Sequence, residues 1–145
     1  MARTGKRSNT SALILQELGR TEKPLSAYDL LDKLRPFGVS GPPTIYRALD
    51  QLLASGKVHR LESMSAFVAC RGLDHGTHDH AHDGLATGFT ICDSCGTVAE
   101  FEDPMLRERI EADAAAATFR PRSSVVEIRG LCAACDAGTS DRPSC

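Results

Sequence analysis

Four cysteines in the C-terminal half of the sequence form two Cys-x-x-Cys pairs. The first pair is Cys92 and Cys95, and the second is Cys132 and Cys135. This spacing lets one tight turn present two sulfurs to the same ion, and two such pairs supply the ligand set of a closed, tetrahedral structural zinc site. The pattern therefore predicts structural zinc. Two separate redox dithiols and a disulfide framework are the alternatives.

The remaining sequence favours metal over disulfides. The first residues lead into no apolar segment of the signal-peptide type, and no apolar run approaches the length of a membrane span. We therefore expect a cytoplasmic protein with no membrane partner, a compartment in which cysteines bind metals more often than they form disulfides. The sequence contains no nucleophile with a paired base and no phosphate-binding glycine loop. We predict that the protein is not an enzyme and has no small-molecule substrate.

Charge is distributed unevenly along the 145 residues, whose overall net charge is −2. Residues 1–60 carry ten Lys or Arg and five Asp or Glu, a net charge of +5, whereas residues 61–145 carry a net charge of −7. A basic first half favours contact with nucleic acid, and the acidic second half is expected to have a different role. Uneven charge alone is also compatible with ordinary solvated surfaces.

The first half predicts three helices followed by a hairpin. Thr10 or Ser11 is expected to cap a helix that ends at Gly19, and Ser26 to cap a second helix that Pro36 stops. A third helix is predicted over residues 42–54, and two short alternating segments, 58–61 and 66–69, predict a β-hairpin. This order of elements predicts a winged helix-turn-helix.

The predicted fold class is α+β, with this N-terminal winged helix-turn-helix and a C-terminal α/β domain. The winged helix is assigned to residues 1–69, a His-rich hinge to 70–87, the C-terminal domain with its two zinc knuckles to 88–136, and a flexible tail to 137–145. Within 88–136 we expect three strands and a helix that begins at Asp103 and Pro104.

Several separated motifs resemble those of the ferric uptake regulator superfamily, and most closely its zinc-uptake branch. They are Pro42–Leu52, Val58–Glu62, Ala66–Cys70, Ile91–Gly96 and Gly130–Cys135, and the match covers about residues 10–135. The resemblance implies a homodimeric repressor that depends on Zn²⁺, about two ions per subunit. Its winged helix is expected to bind a palindromic operator in double-stranded DNA, and its C-terminal α/β domain, residues 88–136, is expected to be the dimerisation domain. A family sensor of iron, manganese or peroxide is the alternative.

A recognition helix presents polar side chains from its N-terminal end to base edges in the major groove. Thr44, Tyr46 and Arg47 have this position, and Arg47 has the donors to bind a guanine. The alternatives are that Tyr46 packs in the core and that Arg47 is merely solvated. The resemblance adds Tyr28 as a DNA contact beside Arg47. Phosphate contacts are predicted for the side chains that flank the wing, Lys57 and Arg60.

Asp32 and Arg35 lie three residues apart on the second predicted helix and therefore share a face. One interpretation is an exposed pair within the helix, which contributes about 0.3–0.5 kcal/mol. The other is a contact between neighbouring dimers, which would place two dimers on one operator.

The resemblance also implies a regulatory zinc site made of two imidazoles, one thiolate and one carboxylate. Its predicted ligands are His59, Cys70, His78 and Glu100, with His80 and His82 as substitutes for His78. A thiolate with imidazoles suits zinc better than iron(II) or manganese(II), which prefer octahedral nitrogen and oxygen donors. The alternatives are a buried, inert Cys70 and an ordinary surface carboxylate at Glu100.

Relatives of this kind use a further metal site, for which the chain offers an incomplete set. His80 and His82, with Glu102 or Glu111, remain candidates, but Ser123 takes the position where a histidine is expected. A solvated His-rich loop explains the same residues equally well. The sequence assigns no role to Cys145.

Overall fold

The computed structural model describes residues 9–71 and 87–138, which belong to two units divided between Arg71 and Gly72. Unit 1 refers below to residues 9–71, and unit 2 to residues 87–138. Most of the predicted hinge (72–86) and most of the predicted tail (139–145) lie outside the described residues. Among the helices of these two ranges, none has the length and apolar character needed to cross a membrane.

Unit 1 has the predicted order of three helices and a hairpin. The helices are α1 (Asn9–Gly19), α2 (Ala27–Leu34) and α3 (Pro42–Ala54), and the strands are β1 (Val58–Leu61) and β2 (Ala66–Ala69). The strands are antiparallel, with Val58 opposite Ala69 and Leu61 opposite Ala66. A winged helix-turn-helix is confirmed, and both strands have the predicted bounds.

One apolar cluster holds these elements together. Its fully buried members come from all three helices and include Ile14, Leu30, Leu34, Ile45 and Leu49. On α3 the buried positions recur every three or four residues, which is the spacing of one helix face. The opposite face of α3 is consequently left at the surface.

The start of α2 has the predicted cap, and the start of α1 does not. The hydroxyl of Ser26 accepts a hydrogen bond from the backbone N–H of Asp29, and the carboxylate of Asp29 accepts one from the backbone N–H of Ser26, so the predicted cap of α2 is a complete capping box. The cap predicted for α1 at Thr10 or Ser11 was wrong. The helix begins at Asn9, which places both residues inside its first turn.

Unit 2 is a three-stranded sheet with two helices. The elements are β3 (Thr87–Cys92), β4 (Val98–Glu102), α4 (Pro104–Ala116), β5 (Val125–Gly130) and α5 (Ala133–Ala137). The sheet order is β4-β3-β5, in which β4 is antiparallel and β5 parallel to β3. The predicted start of α4 is confirmed, because the carboxylate of Asp103 accepts hydrogen bonds from the N–H groups of Met105 and Leu106.

The second cysteine pair corrects the prediction for the C-terminal segment. Cys132 is the N-cap residue of α5, a helix that the sequence did not predict. Ala137 belongs to α5, so the tail assigned to 137–145 began too early. The helix has five residues, too few for a periodic apolar pattern to reveal it.

Candidate metal centres and DNA-facing surface

The parallel pairing of β3 and β5 brings the two cysteine pairs to one end of the sheet. Cys92 is the last residue of β3 and lies opposite Gly130, the last residue of β5. Cys95 lies in the turn after β3, and Cys132 follows shortly after β5. Because β3 and β5 run in the same direction, both cysteine pairs lie at the same end of the sheet.

The four sulfurs form a compact cluster. The ligand atoms of Cys92, Cys95, Cys132 and Cys135 all lie within 4.8 Å of one another, and the sulfurs of Cys95 and Cys132 are 3.8 Å apart. A tetrahedral ion with Zn–S bonds of about 2.3 Å requires sulfur separations of about 3.8 Å. A disulfide bond is about 2.05 Å long. The geometry therefore fits a four-thiolate zinc site and not a disulfide framework.

Hydrogen bonds around the cluster stabilise negatively charged sulfur. Backbone N–H groups of Cys95 and Cys132 lower the pKa of the Cys92 thiol to about 6, and the Cys132 nitrogen lies 3.4 Å from the Cys92 sulfur. The hydroxyl of Thr97, 3.2 Å from the Cys95 sulfur, is the main cause of a lowered pKa at Cys95. Such contacts prepare sulfurs for a metal ion.

The last thiol shows why the cluster needs a cation. A hydrogen bond with Ser94 lowers the pKa of Cys135, but the sulfurs of Cys132, Cys92 and Cys95 outweigh it and raise that pKa to about 12. Four thiolates in this space repel one another unless a positive ion lies among them. A divalent zinc ion supplies this charge, and the residues present fit it.

The wing places two predicted regulatory ligands side by side within unit 1. His59 on β1 pairs with Val68, so Cys70, two residues later, lies diagonally across on the same face of the hairpin. Their ligand atoms are within 4.8 Å of each other, and the Nε2 atom of His59 is buried. The backbone N–H of Cys70 donates to the carbonyl of Lys57 at 2.9 Å, which fixes the chain at this point.

The other predicted metal ligands lie either in unit 2 or outside the described residues. Glu100 is a half-buried residue of β4 in unit 2. Glu102, Glu111 and Ser123 are exposed. The histidines of the predicted hinge, His78, His80 and His82, and the tail residue Cys145 lie outside the described residues.

The exposed face of α3 carries most of the predicted base contacts. Thr44 and Arg47 are exposed and share a face because they lie three residues apart. Tyr46 retains 45% of its surface exposed, which contradicts the alternative that it packs in the core. Gln51 was not among the predicted contacts, although it is exposed one turn after Arg47 and has the amide that pairs with adenine. Its spacing of four residues from Arg47 places both side chains on one helix face.

The remaining predicted DNA contacts lie before and after α3 in the sequence. Tyr28 on α2 is 66% exposed, and Lys57 and Arg60 are exposed at the wing. The Nε atom of Arg60 lies 3.4 Å from a carboxylate oxygen of Glu62. Asp32 on α2 and Arg35, the residue directly after this helix, form an ion pair with 3.3 Å between Oδ1 and Nε, and both side chains are largely exposed.

Comparison with known proteins identifies the family. Residues 3–129 match the ferric uptake regulator family. The chain belongs to this family. It is 41% identical over 123 residues to the zinc uptake regulation protein of Escherichia coli, an alignment that covers 84% of this chain and 68% of that protein.

Solved structures of family members agree with this assignment. A zinc uptake regulator complexed with zinc and DNA has a TM-score of 0.79 and 36% sequence identity, covering 94% of this chain and 87% of that one. The structure of holo XcZur has a TM-score of 0.77 and 39% identity, covering 93% and 89%. The α+β family fold with an N-terminal winged helix is therefore shown for this chain.

Proposed function

We propose that this chain is a zinc-responsive transcriptional repressor without catalytic activity. It acts in the cytoplasm, binds palindromic operator DNA as a homodimer when loaded with zinc, and controls genes of zinc uptake and homeostasis. Its similarity to the zinc uptake regulation protein of Escherichia coli and to a zinc uptake regulator complexed with zinc and DNA supports this function.

The observation that carries the proposal is the pairing of His59 with Cys70 on the wing. A thiol next to an imidazole is a donor set for zinc, whereas sensors of iron or manganese would be expected to use nitrogen and oxygen donors. Glu100 and His78 complete the proposed regulatory set of four ligands, which distinguishes this protein from a family sensor of iron, manganese or peroxide. The second zinc ion of each subunit belongs to the four cysteines of unit 2.

DNA recognition is assigned to the exposed side of α3. Thr44, Tyr46 and Arg47 reach base edges, Tyr28 makes a further direct contact, and the wing residues Lys57 and Arg60 bind phosphates. The exposure of every one of these side chains supports the assignment. Arg47 has the fork of donors that binds guanine with two hydrogen bonds.

Dimerisation is assigned to unit 2. In its described part, β5 forms one edge of the sheet, and Val125 and Ile128 on this strand are 47% and 51% exposed. Phe119 before β5 and Leu131 after it are also exposed. An apolar edge strand of this kind pairs readily with a second chain.

Zinc and DNA must strengthen each other's binding by the same factor, because coupling between two binding sites is reciprocal. Typical coupling free energies of about 1–3 kcal/mol correspond to about a 5- to 150-fold change in affinity. When zinc is scarce the regulatory ligands lose their ion, operator affinity falls and transcription resumes.

The decisive experiment measures operator affinity at buffered free zinc, iron(II) and manganese(II), together with the metal content of natively purified protein. Wild-type protein should bind operator about 5- to 150-fold more tightly with zinc, and Cys70→Ser should lose this response while its four-cysteine site stays loaded. Cys145→Ser is the control, because it removes a thiol without an assigned role. Equal affinity with and without exchangeable zinc would overturn the proposal, and stimulation by iron alone would favour the alternative sensor.

A second experiment separates base contacts from phosphate contacts. Arg47→Ala should cost about 1–3 kcal/mol with the cognate operator and relax specificity at one base pair. Lys57→Ala should weaken cognate and unrelated DNA equally and reduce the salt dependence of binding by about one unit of slope. If Arg47→Ala weakened both DNAs equally, the assignment of Arg47 to a base would be wrong.

A further inference from the structure

An ion pair connects the two cysteine pairs of unit 2. The guanidinium of Arg129 donates two hydrogen bonds to the Oδ1 atom of Asp93, at 2.8 Å from Nε and 2.6 Å from Nη2. Asp93 directly follows Cys92 in the first pair, and Arg129 precedes Cys132 of the second pair by three residues. The interaction therefore spans the two segments that carry the four sulfurs.

Two backbone contacts reinforce the same connection. The N–H of Asp93 donates to the carbonyl of Gly130 at 2.8 Å, and the N–H of Cys132 lies 3.4 Å from the Cys92 sulfur. Asp93 is consequently attached to the end of β5 through both its side chain and its backbone. The register of the two cysteine pairs is therefore supported by the Asp93–Arg129 and Asp93–Gly130 contacts, which lie outside the sulfur cluster.

We propose that Asp93 and Arg129 are positioning residues that slow the release of zinc from the four-cysteine site. The inference rests on the zinc assigned to this site under the proposed function. Release requires at least one cysteine pair to move away from the other, and the Asp93–Arg129 pair opposes this movement without touching the metal. Groups that orient metal ligands from outside commonly change metal affinity by about 10- to 100-fold.

The effect of the Asp93–Arg129 pair on zinc release should be smaller than about 10-fold. The Arg129 and Asp93 side chains are 50% and 46% exposed, so water and salt screen their attraction. Two short, charge-assisted hydrogen bonds to one carboxylate oxygen and the adjoining backbone contacts nevertheless hold this pair more firmly than a typical surface pair. We expect about a fivefold acceleration of zinc release when the pair is broken.

The test measures the slow phase of zinc transfer from the full-length protein to an excess of a chromogenic chelator. Asp93→Asn and Arg129→Gln remove one charge each and keep polar side chains. Each should accelerate release about fivefold, and the double variant should be no faster than either single variant, because both substitutions break the same contact. Arg129→Lys keeps the charge but has one donor nitrogen in place of two, so its release rate should lie between those of wild type and Arg129→Gln.

A matched control lies in the same unit. Arg109 and Asp113 form an exposed ion pair on α4, with 3.2 Å between Nε and Oδ2, so Arg109→Gln removes the same kind of charge away from the sulfurs. Its release rate should equal that of wild type. At about 1 M salt, where the Debye length is about 3 Å, the difference between wild type and Asp93→Asn should shrink.

Three outcomes would overturn the inference: rates within twofold of wild type for both single variants, effects that multiply in the double variant, or an equal acceleration in Arg109→Gln. Cobalt-substituted variants should retain the absorption spectrum of a tetrahedral thiolate site, which shows that the site itself persists. If wild-type protein held no zinc that depends on Cys95, the structural site of the proposed function would fail together with this inference. Zinc present but released equally fast from all variants would refute this inference alone.

Discussion

Replacing Cys95 with Ser is expected to destabilise unit 2 selectively. The described part of unit 2 buries few apolar side chains, namely Phe89, Ile91, Cys92 and Val98. Unit 1 has a contiguous apolar cluster drawn from its three helices and its wing. The stability of unit 2 must therefore depend on its metal site far more than that of unit 1 does.

The size of the effect follows from the ligand geometry. Structural zinc sites contribute about 10–16 kcal/mol of apparent binding free energy, so the loss of one thiolate in four removes about 2.5–4 kcal/mol if the four contribute equally. The substitution also removes the contact between the Cys95 sulfur and the Thr97 hydroxyl. Since about 1 kcal/mol shifts the melting temperature of a small domain by about 4–8 °C, unit 2 should melt roughly 10–30 °C lower.

The assay is calorimetric unfolding of full-length protein at one fixed concentration, because dimerisation makes melting depend on concentration. Cys95→Ser should leave the melting temperature of unit 1 unchanged. Cys70→Ser removes a thiol from unit 1 and serves as the control, because it should leave the melting temperature of unit 2 unchanged. A Cys95→Ser protein whose unit 2 melts within about 3 °C of wild type would refute the structural role of zinc.

Three further substitutions test the local structure by chemical denaturation. Ser26→Ala should cost about 1 kcal/mol. Hydrogen bonds from the side chain and backbone of Ser26 lower the pKa of Asp29 below 3.8. The contribution of this cap to stability is therefore present above about pH 4 and is lost as the pH falls through the folded-state pKa of Asp29. A stability difference between wild type and Ser26→Ala that grew in acid would contradict this. Thr118→Gly should stabilise unit 2 by about 0.5–1 kcal/mol, since Thr118 has a φ of 55°, and destabilisation would show that the residue is not strained. Gly88→Ala should cost about 1–3 kcal/mol because its Cβ would meet the ring of Phe101, and an unchanged denaturation midpoint would show that the ring moves aside freely.

Local chemistry was sufficient to predict much of unit 1. The hairpin has the predicted bounds because its alternating strands flank a four-residue turn, in which Ser65 adopts a φ of 49°. The cap at Ser26 was predicted from its position before an apolar run. The start of α1 was missed because Thr10 and Ser11 are residue types that favour cap positions, and their types alone do not show that they lie inside the helix.

The finer features of unit 2 depend on contacts distant in sequence. The cysteine spacing predicted the four-sulfur site, but the Asp93–Arg129 pair requires the parallel register of β3 and β5, which no local pattern specifies. Helix α5 was missed because its first turn is the cysteine pair itself, with the N–H of Asp136 bonded to the carbonyl of Cys132 at 2.8 Å. The Cys-x-x-Cys spacing was interpreted as a metal-binding turn, and it is also the first turn of a helix.

Under the proposed function, one metal has two roles in this protein, and the number of ligands that each unit presents distinguishes them. Unit 2 brings four sulfurs within 4.8 Å by its own fold, so an ion bound there completes a closed tetrahedral set and contributes directly to folding. Unit 1 presents the imidazole of His59 and the thiol of Cys70, two of the four ligands that such a site requires. A site of this kind binds zinc only when its further ligands also take their places, so zinc binding there would be coupled to the conformational equilibrium. The proposed response to zinc thus depends on a ligand set that unit 1 does not complete by itself.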